Sequence, residues 1–274
     1  MGKQSAVSDW QKAAKYKLIY EEFWMIKNTV KKIIPSVVLE WRRRKVSARE
    51  QQKFAGKTAA ETFGEIYERN AWGGKPGEFY SGDGSAQKYA DVYAQTVREF
   101  IAENKIGRVV DLGCGDFRVA SKFVSGAFHY TGCDVVFSLV KHLNETHKNE
   151  TTEFRCVNIV EDELPDGDLC LIRQVLQHLS NREIAQVLQN TRKFKYLIIT
   201  EHYPNPQNAF SPNLDIPHGP SVRVQFDSAV VLDEPPFTLK NVKLLLDMEA
   251  EEGTRIKTFV VHAGSADGSS AKIA

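Results

Sequence analysis

Short apolar runs alternate with stretches of helical periodicity between residues 89 and 203. The runs predict five strands, at 108–111, 129–136, 154–159, 168–174 and 196–203, and the intervening periodicity predicts helices at 89–104, 117–124, 139–147 and 180–193. Continuous apolar runs bounded by turn residues are typical of strands buried on both faces of a parallel sheet. Two more runs, 243–248 and 255–262, predict a closing hairpin. We therefore expect an α/β fold, with a doubly wound, seven-stranded, mostly parallel sheet that ends in an antiparallel hairpin.

The first 55 residues follow a different pattern. Apolar positions between Trp10 and Ile34 recur every three or four residues, which predicts an amphipathic helix that ends near Pro35. A second helix is predicted over 36–55 and contains the basic run Arg-Arg-Arg-Lys at 42–45. We expect a basic helical appendage at 1–55, the α/β domain at 56–263, and a loose tail rich in Ser, Gly and Ala at 264–274.

The first predicted strand ends in Asp111 and leads into the turn Gly113-Cys114-Gly115. In an open parallel sheet, a turn at the carboxyl end of a strand is where a ligand binds. Glycine allows the backbone to approach that ligand closely, and the start of the helix predicted at 117 would add free N–H groups. A dinucleotide fingerprint needs a small residue where this chain has Arg118, and no Gly-Lys-Ser/Thr follows, so dinucleotide and Walker motifs are excluded.

A second carboxylate, Asp134, ends the next predicted strand, 21 residues after Gly113. An acid at this position can accept hydrogen bonds from both hydroxyls of a ribose. We therefore predict that Asp134 binds the sugar of a nucleoside cofactor.

The stretch 109–116, Val-Val-Asp-Leu-Gly-Cys-Gly-Asp, resembles the first motif of the class I S-adenosylmethionine-dependent methyltransferases, and the resemblance extends from about Tyr67 to His262. In that family the loop passes under the amino-acid end and the ribose of the cofactor. The resemblance implies methyltransferase activity with S-adenosylmethionine as cofactor. It implies cofactor contacts at Asp111, Gly113, Cys114, Gly115, Asp134, Val135, Asn158, Ile159, Arg173, Gln174, Trp72, Ser81 and Ser85.

Two of these positions depart from the family pattern. Asn158 stands where the family often has an Asp beside the adenine, and its side-chain carbonyl can still accept a hydrogen bond from the adenine amino group. Gln174 replaces a frequent Asp near the transferring methyl group, which removes a carboxylate base from that position.

Three residues are candidates for catalysis. His202, at the end of the fifth predicted strand, is the first choice for a general base because its ordinary pKa lies near neutrality. Arg173 is a candidate for orienting the substrate, or for pairing with a local acid. His178 lies between apolar residues, so it is either a base or a packed core group.

Two segments are candidates for covering the substrate. The glycine- and aromatic-rich stretch around Trp72 and Tyr80 is predicted to fold back as a lid or as a wall of the substrate pocket. The stretch 204–220 is too long for a simple connector and is predicted to be a substrate-side insertion. Substrate contacts are predicted, partly from similarity to a bacterial-type subgroup of the family, at Tyr80, Tyr203, Asp215, His218 and Arg223.

Composition narrows the range of partners and the compartment. Residues 1–60 carry 14 Lys/Arg against 5 Asp/Glu, which leaves 22 basic against 30 acidic residues in the rest. An acidic body argues against a nucleic-acid groove in the catalytic domain. The four cysteines, at 114, 133, 156 and 170, fit no zinc spacing, and no signal sequence or long apolar run is evident. We expect no metal and a soluble cytoplasmic protein.

The leading hypothesis is in-line methyl transfer to a hydroxyl of a small-molecule or saccharide acceptor. Two alternatives remain open: a protein or nucleic-acid methyltransferase whose basic N-terminal helices dock the polymer, and a non-catalytic protein that retains the cofactor fold. Residues 1–55 are predicted either to pack on the α/β domain or on a second copy of the chain, which would give a homodimer. The alternative is weak contact with an anionic surface.

Overall fold

The computed structural model of the protein describes residues 45, 49, 52 and 56–262. The predicted appendage, apart from those three positions, and the predicted tail lie outside the described residues. The helices of the domain are α1 (Ala59–Glu68), α2 (Gln87–Glu103), α3 (Phe137–Thr146) and α4 (Asn181–Asn190). The strands are β1 (Arg108–Leu112), β2 (His129–Asp134), β3 (Thr152–Cys156), β4 (Leu169–Arg173), β5 (Tyr196–Tyr203), β6 (Ser211–Pro212), β7 (Ser228–Ala229), β8 (Val242–Glu249) and β9 (Arg255–His262).

Seven strands form one sheet in the order β3-β2-β1-β4-β5-β9-β8. Strands β1 to β5 are parallel, and β9 runs antiparallel between β5 and β8. The order reverses direction between β1 and β4, and ligands bind at such a switch point in open α/β sheets. The predicted fold class, including the closing hairpin, is therefore confirmed.

The register brings three strand ends to one edge of the sheet. Leu112 of β1 pairs with Cys133 of β2 and with Ile172 of β4. Because the strands are parallel, the residues that follow these positions leave the sheet side by side. Gly113, Asp134 and Arg173 consequently lie at the same edge.

Helices pack on both faces of the sheet and explain the continuous apolar runs. On one face α2 buries Tyr93, Ala94 and Val97, and on the other α4 buries Ile184, Val187 and Leu188. Strands covered on both sides lose the polar alternation of a half-exposed sheet. The start of α4 has the expected capping box: Ser180 Oγ accepts the Glu183 N–H, and Glu183 Oε2 accepts the Ser180 N–H.

The prediction of a helix at 117–124 is wrong, because this stretch contains only a 3₁₀ turn, Ala120–Lys122. Phe117 has a φ of +62°, and its buried ring packs edge-on against Phe154 with centroids 5.0 Å apart. Burying the ring in this direction offsets the cost of a left-handed residue, roughly 1–2 kcal/mol. No α-helix therefore begins at the glycine turn, and the predicted contribution of a helix N-terminus is lost.

Strand β3 also differs from its prediction, since it ends at Cys156 rather than at Ile159. Asn158 forms a turn of its own: its Oδ1 accepts the Val160 N–H (3.1 Å), and its backbone N–H donates to Asp162 Oδ2 (2.8 Å). Such local bonding competes with a sheet ladder. Asn158 and Ile159 therefore lie in the loop that follows the strand.

Candidate active site

A cavity opens at the edge of the sheet where β1, β2 and β4 end. Its empty space, open solvent included, is about 1080 Å³. Every residue for which the family resemblance implies a cofactor contact lines it: Trp72, Ser81, Ser85, Asp111, Gly113, Cys114, Gly115, Asp134, Val135, Asn158, Ile159, Arg173 and Gln174. The fold thus brings together residues that are up to 102 positions apart in the sequence.

The two motif glycines are required by neighbouring protein segments. Gly113 and Gly115 have φ values of +75° and +56°. A Cβ at Gly113 would overlap Val175 Cγ2, and a Cβ at Gly115 would overlap Ser81 Oγ. The sequence predicts a ligand against these glycines, whereas the nearest atoms belong to the loops that close over the motif. The glycines therefore shape the cavity by allowing those loops to pack closely.

Asp134 is held in place by the motif loop. Its Oδ2 accepts the N–H of Gly115 (3.2 Å), and its Oδ1 accepts the N–H of Val136 (3.1 Å). Burial raises the pKa of Asp134 to about 6, an effect that these N–H donors oppose. Each carboxylate oxygen retains a further lone pair, so both can accept a hydroxyl hydrogen bond.

The cavity contains more negative than positive charge. Asp111 accepts a hydrogen bond from the Tyr130 hydroxyl (2.8 Å), and burial raises its pKa to about 6. With Asp116 and Asp134 it makes three acids, against one arginine, Arg173, among the lining residues. Such a site favours a ligand that carries a positive charge.

Arg173 has an unused donor. Its Nη2 donates to the carbonyl oxygen of Gly84 (2.6 Å), and its guanidinium lies 5.1 Å from the centroid of the Tyr93 ring. Its Nε is buried and has no hydrogen-bond partner among the described residues. A buried donor without a partner is costly, so this atom suits an acceptor on a bound ligand, such as a carboxylate.

The glycine-rich segment before α2 lies against the motif loop. Asp116 N–H donates to Ser81 Oγ (2.8 Å), and Ser81 N–H donates to Asp116 Oδ2 (3.3 Å). Ser81 Oγ also lies 2.9 Å from the Tyr67 hydroxyl, and Ser85 Oγ donates to Gly82 O (2.6 Å). These serines therefore hold the segment in place as well as lining the cavity.

His178 lines the cavity as an uncharged ring. Its Nδ1 lies 3.1 Å from the carbonyl oxygen of Gly219, so this nitrogen carries the proton and donates it. Its Nε2 lies 3.4 Å from Gln177 Nε2. Burial lowers the pKa of His178 to about 4. The ring is neutral at physiological pH and is a weaker base than an exposed histidine.

His202, the first choice for a base, does not line the cavity. Strand β5 continues past the end of β4, because Arg173 pairs with Thr200, and His202 pairs with Ile256 of β9. Its Nε2 lies 2.8 Å from Thr254 Oγ1, and burial lowers its pKa. The extra length of β5 thus directs this histidine to the closing hairpin.

The five predicted substrate residues do not line the cavity either. Tyr80 lies against the Arg118 guanidinium, 5.0 Å from its ring centroid, and the Tyr203 hydroxyl donates to Val230 O (2.6 Å). The other three anchor the insertion to the start of α4 and the loop before it. Asp215 Oδ1 accepts the Asn181 N–H (2.8 Å), His218 Nδ1 lies 2.7 Å from Glu183 Oε1, and fully buried Arg223 donates to the carbonyls of Leu214, Leu176 and Leu179.

Several lining residues were not singled out from the sequence. Phe63 and Tyr67 come from α1, Tyr93 from α2, and Val175 and Leu179 from the loop after β4. The i, i+4 spacing of Phe63 and Tyr67 is a signal for a buried helix face, although it does not show what the face covers.

The described part of the chain contains neither a metal-binding cluster nor a membrane-spanning helix. Within residues 45, 49, 52 and 56–262, no group of three or more His, Cys, Asp or Glu side chains is placed to hold a metal ion. No helix in the same ranges is both long and apolar enough to cross a membrane.

Comparison with known proteins finds a family model that resembles part of this chain. Residues 110–193 match the family model described as a methyltransferase domain, and this match runs from within β1 through the glycine turn to just past α4. A search of curated protein sequences found no match. Residues 110–193, which make up less than half of the chain, are therefore similar to a methyltransferase domain, and they contain the glycine turn and Asp134.

Solved structures of similar architecture are distant. The N-methyltransferase NodS from Bradyrhizobium japonicum with S-adenosylhomocysteine is 11% identical over 64% of this chain and 87% of its own, with a TM-score of 0.47. Human N-acetylserotonin methyltransferase with S-adenosylmethionine is 14% identical over 81% of this chain and 66% of its own, with a TM-score of 0.46. Similarities at this level say nothing about the acceptor.

Proposed function

We propose that this enzyme transfers a methyl group to a hydroxyl oxygen of a small-molecule acceptor bound beside the end of β4. The observation that supports the proposal is the continuity of one cavity, which joins Asp134 and the glycine turn to Phe63, Trp72 and His178. The first group fits a nucleoside, and the second leaves space for a further small molecule. A cytoplasmic location and a homodimer stay predictions.

The residues present fit the cofactor. Asp134 has the free lone pairs to accept both ribose hydroxyls, and the unpartnered Nε of Arg173 suits the carboxylate of the methionine moiety. Asn158 and Ile159 provide the wall for the adenine. Asp111 and Asp134 provide negative charge in a cavity that would hold a sulfonium.

Bound S-adenosylmethionine supplies a methyl group on a sulfonium: the acceptor oxygen forms the new C–O bond, and the electron pair of the broken C–S bond stays on sulfur, giving S-adenosylhomocysteine. The task of the protein is to hold the acceptor in line and to exclude water, and such positioning contributes up to roughly 7–11 kcal/mol in favourable cases. Because the pKa of His178 is about 4, its ring does not keep the hydroxyl proton, which passes to solvent.

One observation favours a second candidate function. The excess of basic residues in 1–60 is the feature that a protein or nucleic-acid methyltransferase would use to dock its polymer. In that case, removing residues 1–55 would abolish methylation of the polymer while cofactor binding persisted. A non-catalytic protein would bind the cofactor and methylate neither kind of acceptor.

Calorimetry with S-adenosylhomocysteine tests the cofactor half of the proposal. We expect the wild-type protein to bind it and Asp134→Asn to bind at least ten times more weakly, because the amide can accept hydrogen bonds at only one of its two terminal atoms. Asp233→Asn, at an exposed acid that does not line the cavity, is the matched control and should bind normally.

Turnover with methyl-labelled cofactor tests the acceptor half. The labelled methyl group should appear on members of a panel of small hydroxyl compounds and not on protein or RNA. Label found only on a polymer would favour the second candidate function. Wild-type protein that binds neither form of the cofactor would refute the proposal.

A further inference from the structure

Three rings form a wall of the cavity, and of these only Trp72 is among the predicted cofactor contacts. The centroid of the Trp72 ring lies 5.1 Å from that of His178 and 6.1 Å from that of Phe63, and the Phe63 and His178 centroids are 6.4 Å apart. We call Phe63, Trp72 and His178 the aromatic wall. All three line the cavity, together with the apolar side chains of Ala59, Val175 and Leu179.

The polar atoms of the aromatic wall are already engaged by protein. The indole N–H of Trp72 donates to Pro220 O (3.4 Å), and His178 Nδ1 donates to Gly219 O (3.1 Å). His178 Nε2 has the amide of Gln177 at 3.4 Å, a long contact that a better donor can replace. The wall therefore offers a ligand ring faces and, at most, one hydrogen-bond acceptor.

Each charged group of the cavity is bonded to protein outside the aromatic wall. Asp116 accepts the backbone N–H groups of Ser81 and Arg118, and Asp134 accepts those of Gly115 and Val136. Asp111 is bound by Tyr130, and Arg173 by Gly84. None of these bonds involves a residue of the aromatic wall.

These features discriminate between acceptors. A saccharide has several hydroxyl groups, and each one taken from water without a new partner is unfavourable. A charged acceptor would lose its hydration beside aromatic and apolar side chains. A planar apolar compound instead gains binding free energy by stacking on the aromatic rings. A single hydroxyl on that compound can donate a hydrogen bond to His178 Nε2, the one acceptor that the wall offers.

We infer that the acceptor is an uncharged aromatic compound with a phenol-type hydroxyl, bound with its ring against Phe63 and Trp72. The inference rests on the proposed function and makes it more specific, since it selects an aromatic hydroxyl over a saccharide hydroxyl. The hydroxyl lies toward His178, and the ring is covered by the apolar side chains beside it.

The test measures binding of two probes to the protein saturated with S-adenosylhomocysteine. The probes are 2-naphthol and methyl α-D-glucopyranoside, and the method is titration calorimetry or saturation-transfer NMR. We expect 2-naphthol to bind at least ten times more tightly than the glucoside. Phe63→Ser should weaken 2-naphthol binding at least fivefold and leave the affinity for S-adenosylhomocysteine within twofold.

A second variant and a control protect the result from folding effects. Ala59→Asp places a carboxylate in the cavity lining, and aspartate is favourable in the first turn of a helix, so α1 should still form. This variant should also weaken 2-naphthol binding at least fivefold. Phe210→Ser changes an exposed phenylalanine that does not line the cavity and should leave both affinities unchanged.

The outcomes separate this inference from the proposed function. Equal or tighter binding of the glucoside, or 2-naphthol binding that neither Phe63→Ser nor Ala59→Asp weakens, overturns the inference. Protein that binds S-adenosylhomocysteine but not 2-naphthol also overturns it, while the cofactor half of the proposed function stands. Protein that binds no cofactor refutes the proposed function itself.

Discussion

Arg223 and Glu201 hold opposite sides of one peptide turn. Arg223 Nη1 donates to the carbonyl oxygen of Leu176 (2.9 Å), and Glu201 Oε1 accepts the N–H of the same residue (3.0 Å). The two side chains are 0% and 1% exposed. Burial raises the pKa of Glu201 to about 8, an effect that Arg223 opposes. The turn leads to His178, so a buried arginine and a buried glutamate together fix part of the cavity lining.

Replacing Arg223 by methionine should destabilise the domain strongly. The change leaves the buried carbonyls of Leu176 and Leu179 without their donor. A buried acceptor that loses its hydrogen-bond donor costs about 1–3 kcal/mol. Urea unfolding measures the loss. Arg182→Met, at an exposed arginine, should stay within about 0.5 kcal/mol of wild type, and equal stabilities of the two variants would contradict this account.

Gly113→Ala should destabilise the protein for two separable reasons. The new Cβ overlaps Val175, which costs about 1–3 kcal/mol, and the φ of +75° adds roughly 1–2 kcal/mol. Adding Val175→Ala should relieve the overlap and leave the backbone cost. Gly126→Ala is the control, because no atom lies within 4 Å of its Cβ, and its stability should not fall. Thermal or urea unfolding of wild type and the three variants measures each contribution. A double variant that is no more stable than Gly113→Ala would show that the overlap with Val175 is not a cause of the destabilisation.

The affinity for S-adenosylhomocysteine should fall as the pH drops below about 6. Burial raises the pKa of Asp134 to about 6, and the protonated carboxyl is a poorer acceptor for two ribose hydroxyls. Well below this pKa the affinity should decrease about tenfold per pH unit. Calorimetry between pH 5 and 7.5 tests the trend. Asp134→Asn should bind weakly with a smaller slope, and any slope that remains reports Asp111, whose pKa is also about 6. A wild-type affinity that is independent of pH would rule out this role for Asp134.

The stability of the cofactor-free protein should change with pH in the opposite sense. The folded pKa of Asp134 lies above its unfolded value of 3.8, so the folded state binds the proton more tightly. The contribution is complete below about pH 4 and is lost as the pH rises through 6; a shift of this size corresponds to roughly 3 kcal/mol. Urea unfolding from pH 4 to 7 should show a smaller decline for Asp134→Asn than for wild type. Parallel curves would show that Asp134 is not the group responsible.

Much of the architecture could be predicted from local pattern. The apolar runs that become β1, β2, β4 and β5 were predicted because each strand is buried on both faces and leaves a continuous signal. The glycine turn and Asp134 were found because a required turn and a strand-end acid are visible within about 25 residues of sequence. The family match over 110–193 covers this same region.

The sequence by itself therefore determined the class of fold, and it predicted the cofactor and the edge of the sheet where that cofactor would bind, since these depend on periodicity and on residues close together in the chain. Only the tertiary structure decided which polar side chains reach the cavity. His202 lies away from the cavity because β5 extends beyond the end of β4. Arg223 is buried and bonded to backbone carbonyls, and Phe117 adopts a non-helical conformation in which its ring is buried. Each outcome depends on packing between distant segments, and that energy is not recorded in the local pattern of any one of them.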